Sequence, residues 1–165
     1  MYNYTRIIHI MKLIAHRGNI HGPNPSLENA PQYILDAIHQ GYDCEIDVHY
    51  IENEYYLGHD RPDYKIELSF LIAHSSSLWI HCKNFEAFDK LIQLKELNIF
   101  WHEDDKYTLT SHQYIWAYPK MKVSKRCIIL LPEWSDFLFD KDGYGICSDY
   151  VEKLKNMLND NLIIR

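Results

Sequence analysis

Residues 41–60 read GYDCEIDVHYIENEYYLGHD, and how this stretch is taken decides the fold. CEIDVHY (44–50) and EYYLGH (54–59) are short apolar runs that read as two strands. Side chains two apart in a strand share a face, so Glu45, Asp47 and His49 point together. Working outward, KLIAH (12–16) precedes them, and LWIHCK (78–83), NIFWH (98–102), YIWAY (114–118), CIILL (127–131) and GICSD (145–149) follow, which makes eight strand candidates. Helical spacing runs through 26–40 (Leu27, Ala30, Ile34, Leu35 and Ile38), with Pro25-Ser26 as its cap, and again through 66–74, 84–96 and 149–159.

Strands alternating with helices predict crossover connections and a mostly parallel sheet. Eight of them predict an α/β fold of the (β/α)8 TIM-barrel type, with its site at the C-terminal strand ends. Such barrels take about 250 residues, whereas this chain has 165, so several outer helices are expected to be shortened or missing. An open doubly wound sheet is the competing arrangement.

One domain over 1–165 suits this length, with residues 1–10, ahead of Met11, as a candidate extension. A formal charge of −6 and scattered basic residues provide no basic field for nucleic acid. The four cysteines, at 44, 82, 127 and 147, form no CxxC pair, which predicts reduced, buried thiols in a cytoplasmic protein. No segment approaches about 18 consecutive apolar residues, so no membrane insertion is expected. Missing outer helices would bare apolar barrel wall, which predicts a homodimer.

The polar residues fall where such a barrel gathers its chemistry. His16 ends the first strand, Glu45 and Asp47 share a face of the second, and His59 ends the third. In LWIHCKN (78–84), His81 and Lys83 share a face, and a lysine in an apolar strand needs a partner. His102 ends the fifth strand. Glu45 and Asp47, about 6.5 to 7 Å apart along a strand, would repel one another in a dry pocket. Either a divalent cation with oxygen ligands, magnesium or calcium, resolves that conflict, or Arg17 and Lys83 do. His49 lies on the same face at the strand exit and reads as rim. In AHRGN (15–19) an arginine fork suited to phosphate oxygens stands beside a histidine able to transfer a proton near neutral pH.

IAHRGN, then SLENA, then GYDCEIDVHYIENEYYLGHD resemble, in order and spacing, the glycerophosphodiester phosphodiesterase family of phospholipase-C-like phosphodiesterases. Residues 12–60 carry the resemblance, and GICSDYVEKL (145–154) looks like that family's final strand. The resemblance implies a TIM barrel with His16 and His59 as the acid and base, Glu45 and Asp47 as metal ligands, and Arg17 and Lys83 as phosphate contacts. Glu28 would brace the metal site, or serve only as a first-turn carboxylate, and Asn29 would be structural. Where the family has a glutamate as third metal ligand this chain has His81, which shifts preference from calcium toward magnesium, manganese or zinc. The chain is also shorter than family members and lacks the insertion that covers the glycerol side of the site.

Two features lie outside the resemblance. His102, ahead of Glu103, Asp104 and Asp105, either reaches the pocket and touches substrate or is structural. Trp116 and Tyr118 either wall the pocket mouth as a sugar-stacking surface or fill the barrel. The expected function is metal-dependent hydrolysis of a small glycerophosphodiester-like or polyol phosphodiester by two histidines. The alternatives are a lyase that forms a cyclic phosphate, and a catalytically weak barrel that binds phosphate or carbohydrate.

Overall fold

The computed structural model describes residues 11–160; the candidate extension at 1–10 lies outside them. Ten strands form one sheet. In chain order they are β1 (Lys12–His16), β2 (Asp43–Ile51), β3 (Glu54–Leu57), β4 (Tyr64–Ile66), β5 (Leu78–Cys82), β6 (Asn98–Phe100), β7 (Tyr107–Leu109), β8 (Ile115–Ala117), β9 (Cys127–Leu130) and β10 (Gly145–Ser148). The helices are α1 (Pro31–His39), α2 (Leu68–Ala73), α3 (Phe85–Leu91) and α4 (Val151–Asn159), and a 3-10 turn spans Pro132–Ser135. Adjacent parallel strands run β6-β5-β2-β1-β10-β9-β8.

This is a curled, open sheet and not a (β/α)8 barrel. The first reason lies in residues 41–60. Between β2 and β3 stand only Glu52 and Asn53, both left-handed at φ 51° and 66°. That backbone makes a tight hairpin turn, whereas a parallel crossover needs a dozen residues or more. β3 therefore returns antiparallel to β2, and β4 antiparallel to β3. The second reason is at the other edge, where β7 pairs antiparallel with β8 and no strand ladder joins β6 to β8. Ser111 spans that gap instead: its N–H donates to Ile99 O (2.8 Å) and its hydroxyl to Leu97 O (3.0 Å). From β6 to β10 the described chain passes through no α-helix.

Local chemistry also moves helix boundaries, and α3 stops at Leu91 where helical spacing runs to 96. α1 begins at Pro31, whose fixed φ suits the first turn, and not near Ser26. Asn29, left-handed at φ 62°, interrupts the stripe that looked helical from Leu27 onward. α3 follows the expected logic, with the Asn84 side chain accepting from the Ala87 N–H.

The curl has two faces of different chemistry. Outward residues of β1, β2 and β5, among them Ala15, Ile46, Val48 and Ile80, pack with Ile34 and Ala37 of α1 and Ala87 and Leu91 of α3. Inward, Ile14, Trp79, Phe100, Trp116, Ile128 and Cys147 fill the lower part of the curl. The inward positions further along the same strands are polar: His16, Glu45, Asp47, His81 and Lys83. No helix among the described residues is long and apolar enough to cross a membrane.

Trp116 belongs to this filling. It is 4 % exposed and stacks on Phe100 with centroids 4.6 Å apart. Trp116→Ala should lower unfolding free energy by about 3–5 kcal/mol, read as a fall in the denaturant midpoint. The four cysteines are free and buried, and burial pushes the Cys82 thiol up to about 12. Ellman's reagent should therefore leave the native chain almost unlabelled and titrate all four thiols in guanidinium.

Candidate active site

Register brings the polar residues of the parallel strands side by side. His16 of β1 lies opposite Glu45 of β2, and Asp47 of β2 lies opposite His81 of β5. At the centre is the fully buried carboxylate of Asp47. Its Oδ2 accepts from Asn29 Nδ2 (2.9 Å) and sits 3.1 Å from Arg17 Nε. Its Oδ1 is 3.1 Å from His81 Nδ1 and 3.6 Å from Lys83 Nζ. Burial alone would raise this carboxyl's pKa, but the His81 hydrogen bond, Arg17 and Lys83 together hold it well below the usual range. The Arg17 contact is ionic: its angle is not that of a hydrogen bond, and the Nε–H has no other acceptor.

Glu45 is in the opposite situation. Burial and the neighbouring Asp47 charge push its carboxyl up, and the cations nearby only partly offset this. Its one ion pair among the described residues is with His16 Nε2, at 3.9 Å. Candidate ligand atoms of Glu45, Asp47 and His81 lie within 4.8 Å of one another, so the cluster could hold a metal ion. Two carboxylates and an imidazole form a suitable donor set for a divalent cation. The incompletely offset charge on Glu45 favours that fit, and the cations already on Asp47 compete with it.

Arg17 and His16 owe their placement to the turn after β1. Arg17 is left-handed at φ 53°, and its N–H donates to the Glu45 carbonyl at 3.0 Å. Its Nη1 donates to Glu28 Oε2 at 3.1 Å, so Glu28 braces the guanidinium. His16 Nδ1 lies 2.8 Å from Asp149 Oδ1. Asp149 also accepts from Asn19 Nδ2 (2.8 Å), and its own N–H donates to Glu133 Oε1 (2.9 Å). With Nδ1–H given to Asp149, Nε2 faces Glu45. Burial disfavours the His16 cation, yet the Asp149 hydrogen bond and the Glu45 charge outweigh it and the pKa is raised.

The remaining predicted residues divide. His59 stands at the rim, its Nδ1 2.6 Å from Asp60 Oδ1. Its pKa is lowered by burial against the pull of Asp47, with Arg17 and Lys83 adding to the fall. His49 is not idle rim: its Nε2 lies 2.9 Å from the Gly58 carbonyl and holds the loop that carries His59. His102 stacks flat on His81, centroids 4.6 Å apart and planes at 4°, so it joins the cluster. Trp116 does not, since its ring lies in the apolar filling.

Asp149, Asn19 and Glu133 were not singled out from the sequence. Asp149 had a signal, because GICSD ends a strand in a carboxylate, the same rule that selected His16 and His102. Glu133 had none; it comes from a 3-10 turn after β9 and reaches β10 only through the curl of the sheet. No protein-family model, no curated protein and no solved structure matches the chain.

In metal-free solution, NMR titration should give His16 a pKa above its ordinary 6.5. Asp149→Asn should bring that value down, because burial then acts with less opposition.

Proposed function

We propose that the chain is a metal-dependent phosphodiesterase acting on a small glycerophosphodiester-like or polyol phosphodiester, a member of the glycerophosphodiester phosphodiesterase family that its motifs resemble. The observation that carries this is the Asp149–His16 pair, which gives the imidazole Nδ1–H an acceptor and aims Nε2 at the pocket beside Glu45, while Glu133 holds the Asp149 backbone N–H. A histidine held by a carboxylate, beside two cationic side chains, is an arrangement suited to proton transfer at a phosphoryl centre.

Arg17 and Lys83 would bind the non-bridging phosphoryl oxygens, turning from Asp47 toward the stronger anion. One of His16 and His59 would take the proton of the attacking group, and the other would deliver a proton to the leaving alkoxide. If the attacking group is a neighbouring substrate hydroxyl, the product is a cyclic phosphate and the enzyme is a lyase. Glu45, Asp47 and His81 would hold the cation, magnesium in preference to calcium because of the imidazole, and it would supply charge neutralisation and Lewis acidity.

A second reading, a protein that binds phosphate or carbohydrate without turnover, is favoured by one observation: both oxygens of Asp47 already face side-chain donors. Release of p-nitrophenol from bis(p-nitrophenyl) phosphate separates the two. Turnover should vanish with EDTA, return with Mg2+ or Mn2+, and fall at least about 100-fold in His16→Ala and in His59→Ala. His81→Glu should raise divalent-metal affinity. Absence of turnover with every divalent metal, on this diester and on glycerophosphodiesters, would support the binding reading and remove the enzymatic one.

A further inference from the structure

The hydrolase reading leaves unused a pair of exposed aromatic rings at the mouth of the site. Tyr118 follows β8 and Trp134 follows β9, so both stand at C-terminal strand ends, where the polar residues gather. They are 48 % and 57 % exposed, and their rings meet at 78° with centroids 6.4 Å apart. Two large aromatic rings open to solvent beside a polar cluster offer a surface on which a ligand can stack. Tyr118 also lines a cleft of about 430 Å³ together with His102, Asp104, Lys106 and Lys120. That volume falls in the range of small-ligand sites.

The cleft adjoins the candidate centre through His102, and the Tyr118–Trp134 contact leads from it toward Glu133. His102 lies flat against His81, and its Nδ1 is buried without a well-formed hydrogen bond. Trp134 immediately follows Glu133, whose carboxylate accepts from the Asp149 N–H and the Ser148 hydroxyl. A group bound between Tyr118, Trp134 and His102 would therefore sit next to the atoms that act on the phosphoryl group.

We infer that this corner is a subsite for a pyranose ring carried as one alcohol of the phosphodiester. This inference rests on the phosphodiester reading of the neighbouring cluster and names its substrate class. A sugar presents C–H faces that pack on aromatic rings and hydroxyls that both donate and accept. The lining supplies the complement: the carboxylates of Asp104 and Asp105 accept, the ammonium groups of Lys106 and Lys120 donate, and His102 does one or the other. A quaternary ammonium group would also suit two aromatic walls and the carboxylates of Glu103, Asp104 and Asp105, but it offers no acceptor to Lys106 and Lys120, whereas sugar hydroxyls serve both signs of charge. An open-chain polyol has no rigid face to cover the rings.

Calorimetry on the full chain carrying His16→Asn, with Mg2+ present, tests this without consuming ligand. The probes are the methyl esters of glucose 1-phosphate, galactose 1-phosphate and N-acetylglucosamine 1-phosphate, set against glycerophosphoglycerol and glycerophosphocholine. At least one pyranosyl ester should bind more tightly than both glycerol esters, and Trp134→Ala and Tyr118→Ala should each reduce that preference about tenfold. Trp134→Phe should keep most of it. Equal affinity across the probes, tighter binding of the choline ester, or indifference to both alanine variants would overturn the inference. A chain that binds pyranosyl esters but never hydrolyses a diester removes the enzymatic reading and leaves this one standing. One that hydrolyses glycerophosphodiesters with no pyranosyl preference does the reverse.

Discussion

Everything around the pocket answers to one constraint, the burial of the Asp47 carboxylate. An ionised carboxylate removed from water is unfavourable unless cations and hydrogen-bond donors surround it. The chain meets that demand from three separate segments: Arg17 after β1, Asn29 ahead of α1, and His81 with Lys83 on and just beyond β5. Asn29 answers twice, since its Oδ1 also accepts the Asp47 N–H at 2.9 Å. Its left-handed backbone, which ends the helical pattern before α1, is the conformation that delivers the amide to β2. A local departure from helix and the neutralisation of a buried charge are thus the same event.

The polar face was legible because strand periodicity is strict. Once 44–50 and 78–83 are strands, Glu45 with Asp47 and His81 with Lys83 must share faces, and parallel pairing sets them opposite one another. Closure into a barrel was not legible in that way, because counting strands says nothing of their direction. The decisive information was present in residues 51–53, too few for a crossover, but it was a statement about connection length and not about composition. The antiparallel β7–β8 pair was harder still, since three-residue strands carry almost no periodic signal. Trp116 shows the limit of alternation: period two places it inward, but the same inward face is apolar low in the curl and polar at the top.

The sheet that results is asymmetric. On the side of β1, β2 and β5, helices α1 and α3 cover the outer surface, and the turns leaving β1, β3 and β5 hold Arg17, His59 and Lys83. On the side of β9 and β10, Leu154 of α4 packs on Ile129 and Ile146 together with Phe137 and Phe139 of the irregular connection between those strands, and the connections after β8 and β9 contribute Tyr118, Glu133 and Trp134. Charge is concentrated on the first side and aromatic surface on the second. In the proposed phosphodiesterase such a division would separate the part of the site that holds the phosphoryl group from the part that meets what the phosphoryl group is attached to.

The β2–β3 hairpin has a consequence for how the histidine at the rim keeps its distance from the centre. Val48 pairs with Leu57, and the Gly58 N–H donates to the Asp47 carbonyl at 3.1 Å. His59 is therefore measured off from Asp47 along one folded ribbon and not across the interior of the sheet. The hairpin's own hydrogen bonds set that spacing, like the marks on a ruler, and the edge between β6 and β8 takes no part in it.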